Sequence, residues 1–466
     1  MLHFLGFILL VIGGVMLVPA VAAFVLGEPH LAINFAAPAI GVIALAILMR
    51  RFSKPTEPSL GKLMVVVTLG WILAALFSTV PYMLSTNMGF VDSYFESMSG
   101  FTTTGLTMIQ NPEAMARTVL FWRSLTQWVG GIGIVVLVLS ALVGAGKVAK
   151  KMYLAEARID RIEPSIKDTT RSILKIYLIF TILGVVAFML VGMPLFDSIN
   201  HTLAGISTGG FSTRSQSLAA FGDLPLIIGI ILTMAGATSF VIHRKVLAGH
   251  WRELFGSVEF RFMIGIFVVA TLLLVWSVGI RDAAFQSAEA ITTTGFQSAK
   301  IYVWGGLQKG LLCALMIIGA GFGSTGGGIK LIRVLIILKS IWWSIKRSFL
   351  PERAVVPIKV GGRIYAHEDV TDTAIFFFIY IITLVVGAAL IATMLPPGYG
   401  GADAFFESTS AQSNVGLSVG LTPILPDPGK IVLIVQMLIG RLEIIPVIAF
   451  LSYLVAKVPR PRRKPV

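Results

Sequence analysis

Four glycines set the terms for this chain. Gly105, Gly210, Gly295 and Gly416 each follow an aspartate by thirteen residues (Asp92, Asp197, Asp282, Asp403) and a hydroxyl residue by eight (Ser97, Thr202, Ser287, Ser408). A small residue stands five before each (Gly100, Gly205, Ala290, Ala411). Thr102, Ser207, Thr292 or Ser413 stands three before, and Leu106, Phe211, Phe296 or Leu417 follows. Five columns at fixed spacing in four segments make an internal repeat. Any fold for this chain must place four equivalent copies of one short unit.

The copies lie between long apolar stretches. Spanning candidates run at about 3–26, 33–50, 63–84, 118–143, 172–193, 223–243, 258–280, 304–345, 371–394 and 429–456. Each reaches the ~20 residues needed to cross ~30 Å of hydrocarbon. With 56% hydrophobic and 13% charged residues, the composition is that of a polytopic membrane protein. The repeated unit is span, short helix, loop, span. The expected fold is therefore an all-α polytopic membrane protein, with four span–pore helix–filter loop–span repeats around one pore. Two extra spanning helices precede them. The corresponding division is 1–56 for the extra helices, then 57–160, 161–250, 251–350 and 351–466 for the repeats, the last with a basic tail. The N-terminal stretch has no Lys or Arg before an apolar run of more than twenty residues, so it reads as a span rather than a signal peptide.

Charge orients the chain. With the N-terminus inside, 29 of the 37 Lys and Arg fall in loops that become cytoplasmic, as the positive-inside bias requires. The C-terminus is then cytoplasmic too, and the formal charge of +14 belongs to these loops rather than to a nucleic-acid surface. The single cysteine, Cys313, excludes an internal disulfide framework, and the six histidines show no metal-ligand spacing.

Each aligned aspartate reads as an N-cap opening a helix of about ten residues. Each glycine either ends that helix or permits a backbone closed to other residues. Non-helical backbone at membrane depth survives only when buried in protein or lining an aqueous cavity. Four such loops on one axis can present a ring of backbone carbonyls to a dehydrated cation. The negative C-terminal ends of the short helices favour the same cation.

The plan, with "GFTTTGLT", "ISTGGFST", "ITTTGFQS" and "SNVGLS", resembles the Trk/Ktr/HKT superfamily of potassium transporters over the whole chain, and the two extra spans match its TrkH branch. The resemblance implies potassium uptake through a channel-like pore in a bacterial plasma (inner) membrane. It also implies a homodimer and a cytoplasmic nucleotide-binding regulatory subunit, with membrane lipids and K+ as the only other ligands. It assigns the filter to Thr102, Thr103, Thr104 and Gly105; Ser207, Thr208, Gly209 and Gly210; Thr292, Thr293, Thr294 and Gly295; and Ser413, Asn414, Val415 and Gly416. Sodium-preferring relatives carry serine at the first glycine position, so Gly105 points to potassium. The unequal second and fourth loops predict modest discrimination between potassium and rubidium.

"IGAGFGSTGGGIK" interrupts the eighth span. Its clustered glycines (Gly319, Gly321, Gly323, Gly326, Gly327, Gly328), with Ser324 and Thr325, predict a broken helix rather than the every-fourth-residue packing pattern. The resemblance assigns a gating loop to this place. It is no phosphate loop, since Ile329 follows Gly328, and no nucleophile elbow, since Phe322 stands two before Ser324. Arg441 lies at membrane depth and needs a cavity or a partner. It reads either as half of an ion pair with Glu96, Glu407 or Glu443, or as a pore residue, and the resemblance favours the pore. Glu96 and Glu407 stand nine before their glycines, where the other repeats have His201 and Gln286. They read as structural support for the filter, and Arg123 as an interfacial residue. The basic segments 144–171 and 346–370 read as positive-inside charge where a regulator docks. An enzyme would need acidic, His or Cys groups in the spans, which hold almost none. A symporter coupling potassium to protons or sodium remains the alternative, although its usual inverted repeats are absent here.

Overall fold

A computed structural model describes residues 1–53, 59–133, 166–349, 351 and 357–457. Among these, the regular structure is helical apart from one antiparallel hairpin, Ile358–Val360 with Arg363–Tyr365. Six of the ten sequence candidates are single helices long and apolar enough to cross a bilayer: Leu2–Val25, Ala32–Arg51, Leu60–Ser85, Ile166–Leu190, Val258–Val278 and His367–Ala392. Ile182, Leu183, Leu273, Trp276 and Phe378 stand exposed on them. In water such a surface would drive aggregation, whereas against hydrocarbon it costs nothing. The chain is an all-α, multi-pass membrane protein.

The other four candidates are not continuous. Arg117–Ile132 ends at Gly133 (φ 92°) and Gly306–Ile318 at Gly319 (φ 74°). Asp223–Gly236 turns by 103° into Phe240–Leu247, and Asp427–Leu442 turns by 115° into the helix that begins at Ile445. The sequence announces only the Gly319 break, through its glycine cluster. The others correct the expectation of unbroken spans. The far half of candidate 118–143, most of segment 144–171, part of 346–370 and the "RPRRKP" tail lie outside the described residues.

A common packing constraint accompanies these breaks. The short helices are Phe90–Phe101, Leu195–Ile206, Ile280–Thr292 and Gly401–Gln412. At 1.5 Å per residue they are about 18–20 Å long and do not cross. The carbonyl oxygen of each one's last residue faces a glycine: Phe101 faces Gly130, Ile206 faces Gly236, Thr292 faces Gly326 and Gln412 faces Gly440. A Cβ on any of these glycines would press against that oxygen. Three of the glycines close the helix that follows the short one, and the fourth lies in the glycine-rich segment. The backbone thus bends around each short-helix terminus at contact distance.

None of the aspartates is the N-cap residue, although Asp403 accepts the N–H of its N-cap, Gly400 (3.0 Å). The N-caps are Gly89, Pro194, Gly279 and Gly400, and every aspartate sits three residues further on, in the first turn. A carboxylate there still meets the positive end of the helix dipole. Its oxygens serve as anchors: Asp92 binds Lys430 Nζ (2.5 Å), Asp197 binds Thr213 Oγ1 (2.5 Å), Asp282 binds Ser298 Oγ (2.8 Å) and Asp403 binds Lys309 Nζ (2.7 Å).

Candidate functional site

All four short helices end in the same way. The N–H of Thr104, Gly209, Thr294 and Val415 reaches back five residues, to the carbonyls of Ser99, Ala204, Glu289 and Ser410. The N–H of Thr103, Thr208, Thr293 and Asn414 reaches back three, to Gly100, Gly205, Ala290 and Ala411. This is a Schellman termination, which requires a left-handed residue just past the helix. That residue is Thr103, Thr208, Thr293 or Asn414, with φ between 52° and 57°. A β-branched residue in this region is strained, and three of the four are threonine. The aligned glycine therefore does not end the helix. It supplies a second positive φ two residues later, 76–95° at Gly105, Gly210, Gly295 and Gly416.

The four loops close on one another. A Cβ on Gly105 would collide with the Gly209 carbonyl oxygen, on Gly210 with that of Thr294, on Gly295 with that of Val415, and on Gly416 with that of Thr104. Each glycine thus abuts the third residue of the next loop, in the order one, two, three, four, one. The Asn414 amide donates across the closure to Thr104 Oγ1 (2.9 Å). All four glycines line one open vestibule of about 390 Å³. The first three residues of every quartet are buried.

The residue nine before each glycine holds the chain just after it. Glu96 accepts from Thr107 Oγ1 (2.9 Å) and the Met108 N–H (2.8 Å). Glu407 accepts from Ser418 Oγ (2.7 Å) and the N–H groups of Val419 (3.2 Å) and Thr422 (3.0 Å). His201 Nε2 lies 2.8 Å from Ser212 Oγ, and the Gln286 amide donates to Ser298 Oγ at 3.3 Å. Supporting roles for Glu96 and Glu407 match this geometry.

Arg123 corrects the interfacial reading. It is buried, pairs with Glu96 (2.7 Å), donates to the Ser212 carbonyl (2.9 Å), and lies 4.1 Å from the Phe211 ring centroid. It therefore ties the first loop to the second. Arg123→Ala would strand a buried carboxylate, at a cost of about 3–5 kcal/mol. We expect a marked loss of thermal stability in detergent, partly recovered by adding Glu96→Gln. An unchanged melting temperature would count against this role.

The glycine-rich segment lies directly against the quartets. The Gly327 N–H donates to Thr293 Oγ1 (2.6 Å) and the Gly328 N–H to the Ser413 carbonyl (3.1 Å). The Thr325 hydroxyl lies 3.2 Å from that of Thr208 and 2.9 Å from the Gly236 carbonyl. Ser324 closes the bend by donating to Gly321 (2.6 Å), and Gly323 accepts the Phe240 N–H (3.0 Å). Gly319 packs its Cα side against Gly327 and Gly328. Arg441 completes the contact with the first loop. It donates to Thr103 Oγ1 (2.9 Å), the Thr325 carbonyl (3.0 Å) and the carbonyls of Gly130 and Gly131. The carboxylates considered as its partners are engaged elsewhere: Glu96 with Arg123, Glu443 with Arg333 (2.6 Å), and Glu407 with its own loop.

Sequence reasoning missed three side chains. Gln127 donates to the Gly209 carbonyl (2.6 Å) and accepts the Phe211 N–H (3.0 Å), clamping the second loop from the first repeat. Lys330 is buried at the end of the glycine segment and donates to the Gly326 carbonyl. Glu289 accepts the Phe296 N–H (3.1 Å) behind the third loop. A polar residue at membrane depth was the available signal in each case.

The geometry has counterparts among known proteins. The family model for the TrkH cation transport proteins matches residues 34–278 and 262–457, together most of the chain. The chain belongs to the TrkH family. The family is one of membrane transporters, not enzymes. An uncharacterized cation transporter of Methanocaldococcus jannaschii is 36% identical, over 99% of this chain and 97% of that protein. The Trk system potassium uptake protein TrkH of Salmonella typhimurium is 32% identical, over 94% and 95%. The crystal structure of the potassium transporter TrkH from Vibrio parahaemolyticus superposes with a TM-score of 0.84 at 29% identity, covering 98% of each chain.

Proposed function

We propose that this TrkH-family chain takes up potassium through the closed ring of quartets, which acts as a selectivity filter. The observation that carries this reading is the cyclic contact of each aligned glycine with the third carbonyl of the next loop. Four buried, non-helical segments then surround one axis at the C-terminal ends of four helices, an arrangement that favours a dehydrated cation. The Gly209 carbonyl is shared with the Gln127 amide, so the four quarters are unequal. That supports modest discrimination between potassium and rubidium. The test is flux into vesicles containing the purified protein, with potassium, rubidium or sodium as the only permeant cation. Saturable uptake of potassium and rubidium well above sodium is expected; equal uptake of all three would overturn the filter.

In this reading the segment Gly319–Gly328 is the gate, and Arg441 belongs to it. Contacts to the second, third and fourth quartets, and through Arg441 to the first, support that placement. Shortening Gly321–Gly327 is expected to raise flux severalfold and to weaken its dependence on a regulator. Wild-type flux from a folded deletion protein would leave the segment only a packing role.

The positive-inside bias supports an external vestibule, with both termini in the cytoplasm of a cell whose plasma membrane holds the protein. A homodimer and a cytoplasmic nucleotide-binding regulatory subunit remain part of the proposal, by analogy with the family.

A further inference from the structure

The position six before each aligned glycine holds Ser99, Ala204, Glu289 and Ser410. Ser410 accepts the Gly416 N–H (3.0 Å) and Glu289 accepts the Phe296 N–H (3.1 Å). In both loops this side chain steadies the backbone at the glycine. Ala204 has no acceptor to offer, and Gln127 accepts the Phe211 N–H in its place (3.0 Å). A hydroxyl does this work in the fourth loop and an amide in the second. Backbone support therefore does not explain a carboxylate in the third.

Glu289 is fully buried, and its carboxylate also meets the Thr233 hydroxyl at 3.3 Å and the Gly295 backbone N–H. Among the described residues it forms no salt bridge, whereas Glu96 meets Arg123. Burying an ionised carboxylate is expensive unless an opposite charge compensates it. On the filter reading, that opposite charge would be a cation held by the quartets, since the Phe296 N–H that Glu289 binds belongs to the residue next to Gly295.

We infer that Glu289 is a charged positioning residue whose carboxylate is a counter-charge to the bound cation and sets the affinity of the ring. This rests on the filter reading above. By linkage, the cation favours ionised Glu289 and ionised Glu289 favours the cation by the same factor. The other three loops carry no charge at the equivalent position, so the effect comes from one side of the axis.

The test uses the purified full-length protein in vesicles, with potassium uptake measured over a range of concentrations. Glu289→Gln keeps an oxygen that accepts the Phe296 N–H and removes the charge. We expect its KM for potassium to rise about tenfold, with the maximal rate within about twofold of wild type. Glu289→Ser, which copies the fourth loop, should behave alike. A wild-type KM in a folded Glu289→Gln or Glu289→Ser protein overturns the inference. Loss of both variants from the membrane also overturns it, since Glu289 would then serve folding. Gly105→Ser measured in parallel separates the two claims. Unchanged relative permeability there sinks the filter itself, whereas altered permeability beside a normal Glu289→Gln KM sinks only the role of Glu289.

Discussion

Arg441→Ala is expected to increase cation flux about tenfold or more in reconstituted vesicles. Two effects act in the same direction. A guanidinium several ångströms from a cation path raises the local potential; at ~8 Å and an effective dielectric constant of ~20, that is about 2 kcal/mol before screening. The same group binds the Thr325 carbonyl and the Thr103 hydroxyl, so it fastens the glycine-rich segment to the first quartet. If the segment is the proposed gate, removing the guanidinium would lower the barrier and loosen the obstruction. It also removes a donor from the Gly130, Gly131 and Thr325 carbonyls, of which Gly130 keeps the Gly133 N–H, at about 1–3 kcal/mol for each one left unsatisfied that water does not reach. Thermal stability should therefore fall while flux rises. Arg441→Lys keeps the charge and loses the planar fork, so its flux should lie between the two. A well-folded Arg441→Ala protein with wild-type or lower flux would remove Arg441 from the gate. Because Glu96, Glu407 and Glu443 have other partners, neutralising them should not rescue the variant.

Gly105→Ser is expected to lower potassium uptake and to reduce the preference for potassium over sodium by roughly tenfold or more, about 1.4 kcal/mol. Gly105 has φ 88°, where a Cβ is strained, and that Cβ would run into the Gly209 carbonyl oxygen. The second loop has to retreat, which changes the spacing of the ring where, in the proposed filter, carbonyls would replace water around the ion. Gly295→Ala presses on the Val415 carbonyl in the same way and should alter selectivity too. Relative permeability to potassium, rubidium and sodium decides the matter. If Gly105→Ser leaves the ratios unchanged while the protein stays folded, the first quartet is not part of the filter.

Much of this site was legible along the chain. The five aligned columns identified all four quartets, and the aspartates pointed to short helices of about ten residues, where the helices run for 12 or 13 and start ahead of the Asp. The glycine cluster revealed one helix break. The other breaks left weaker traces, because Gly130, Gly236 and Gly440 look like ordinary small residues in apolar spans. Their purpose appears only when the carbonyls of Phe101, Ile206 and Gln412 are brought against them. The aspartates were read as caps because Asp favours that position. Glycine or proline takes the N-cap position instead, and the carboxylates, three residues on, bind Lys430, Thr213, Ser298 and Lys309.

What the sequence determined by itself is whatever depends on distance along the chain: apolar run length, charge bias, and a repeat whose register fixes which residues are equivalent. Tertiary structure alone decided which equivalent residues meet and which polar groups find partners. Arg441 reaches Thr103 across 338 positions, and Lys430 reaches Asp92 across the same interval. No local propensity encodes such pairs. A buried charge takes whatever donor or acceptor the closed ring brings within 3 Å, and closing the ring is what brings the first and fourth repeats together.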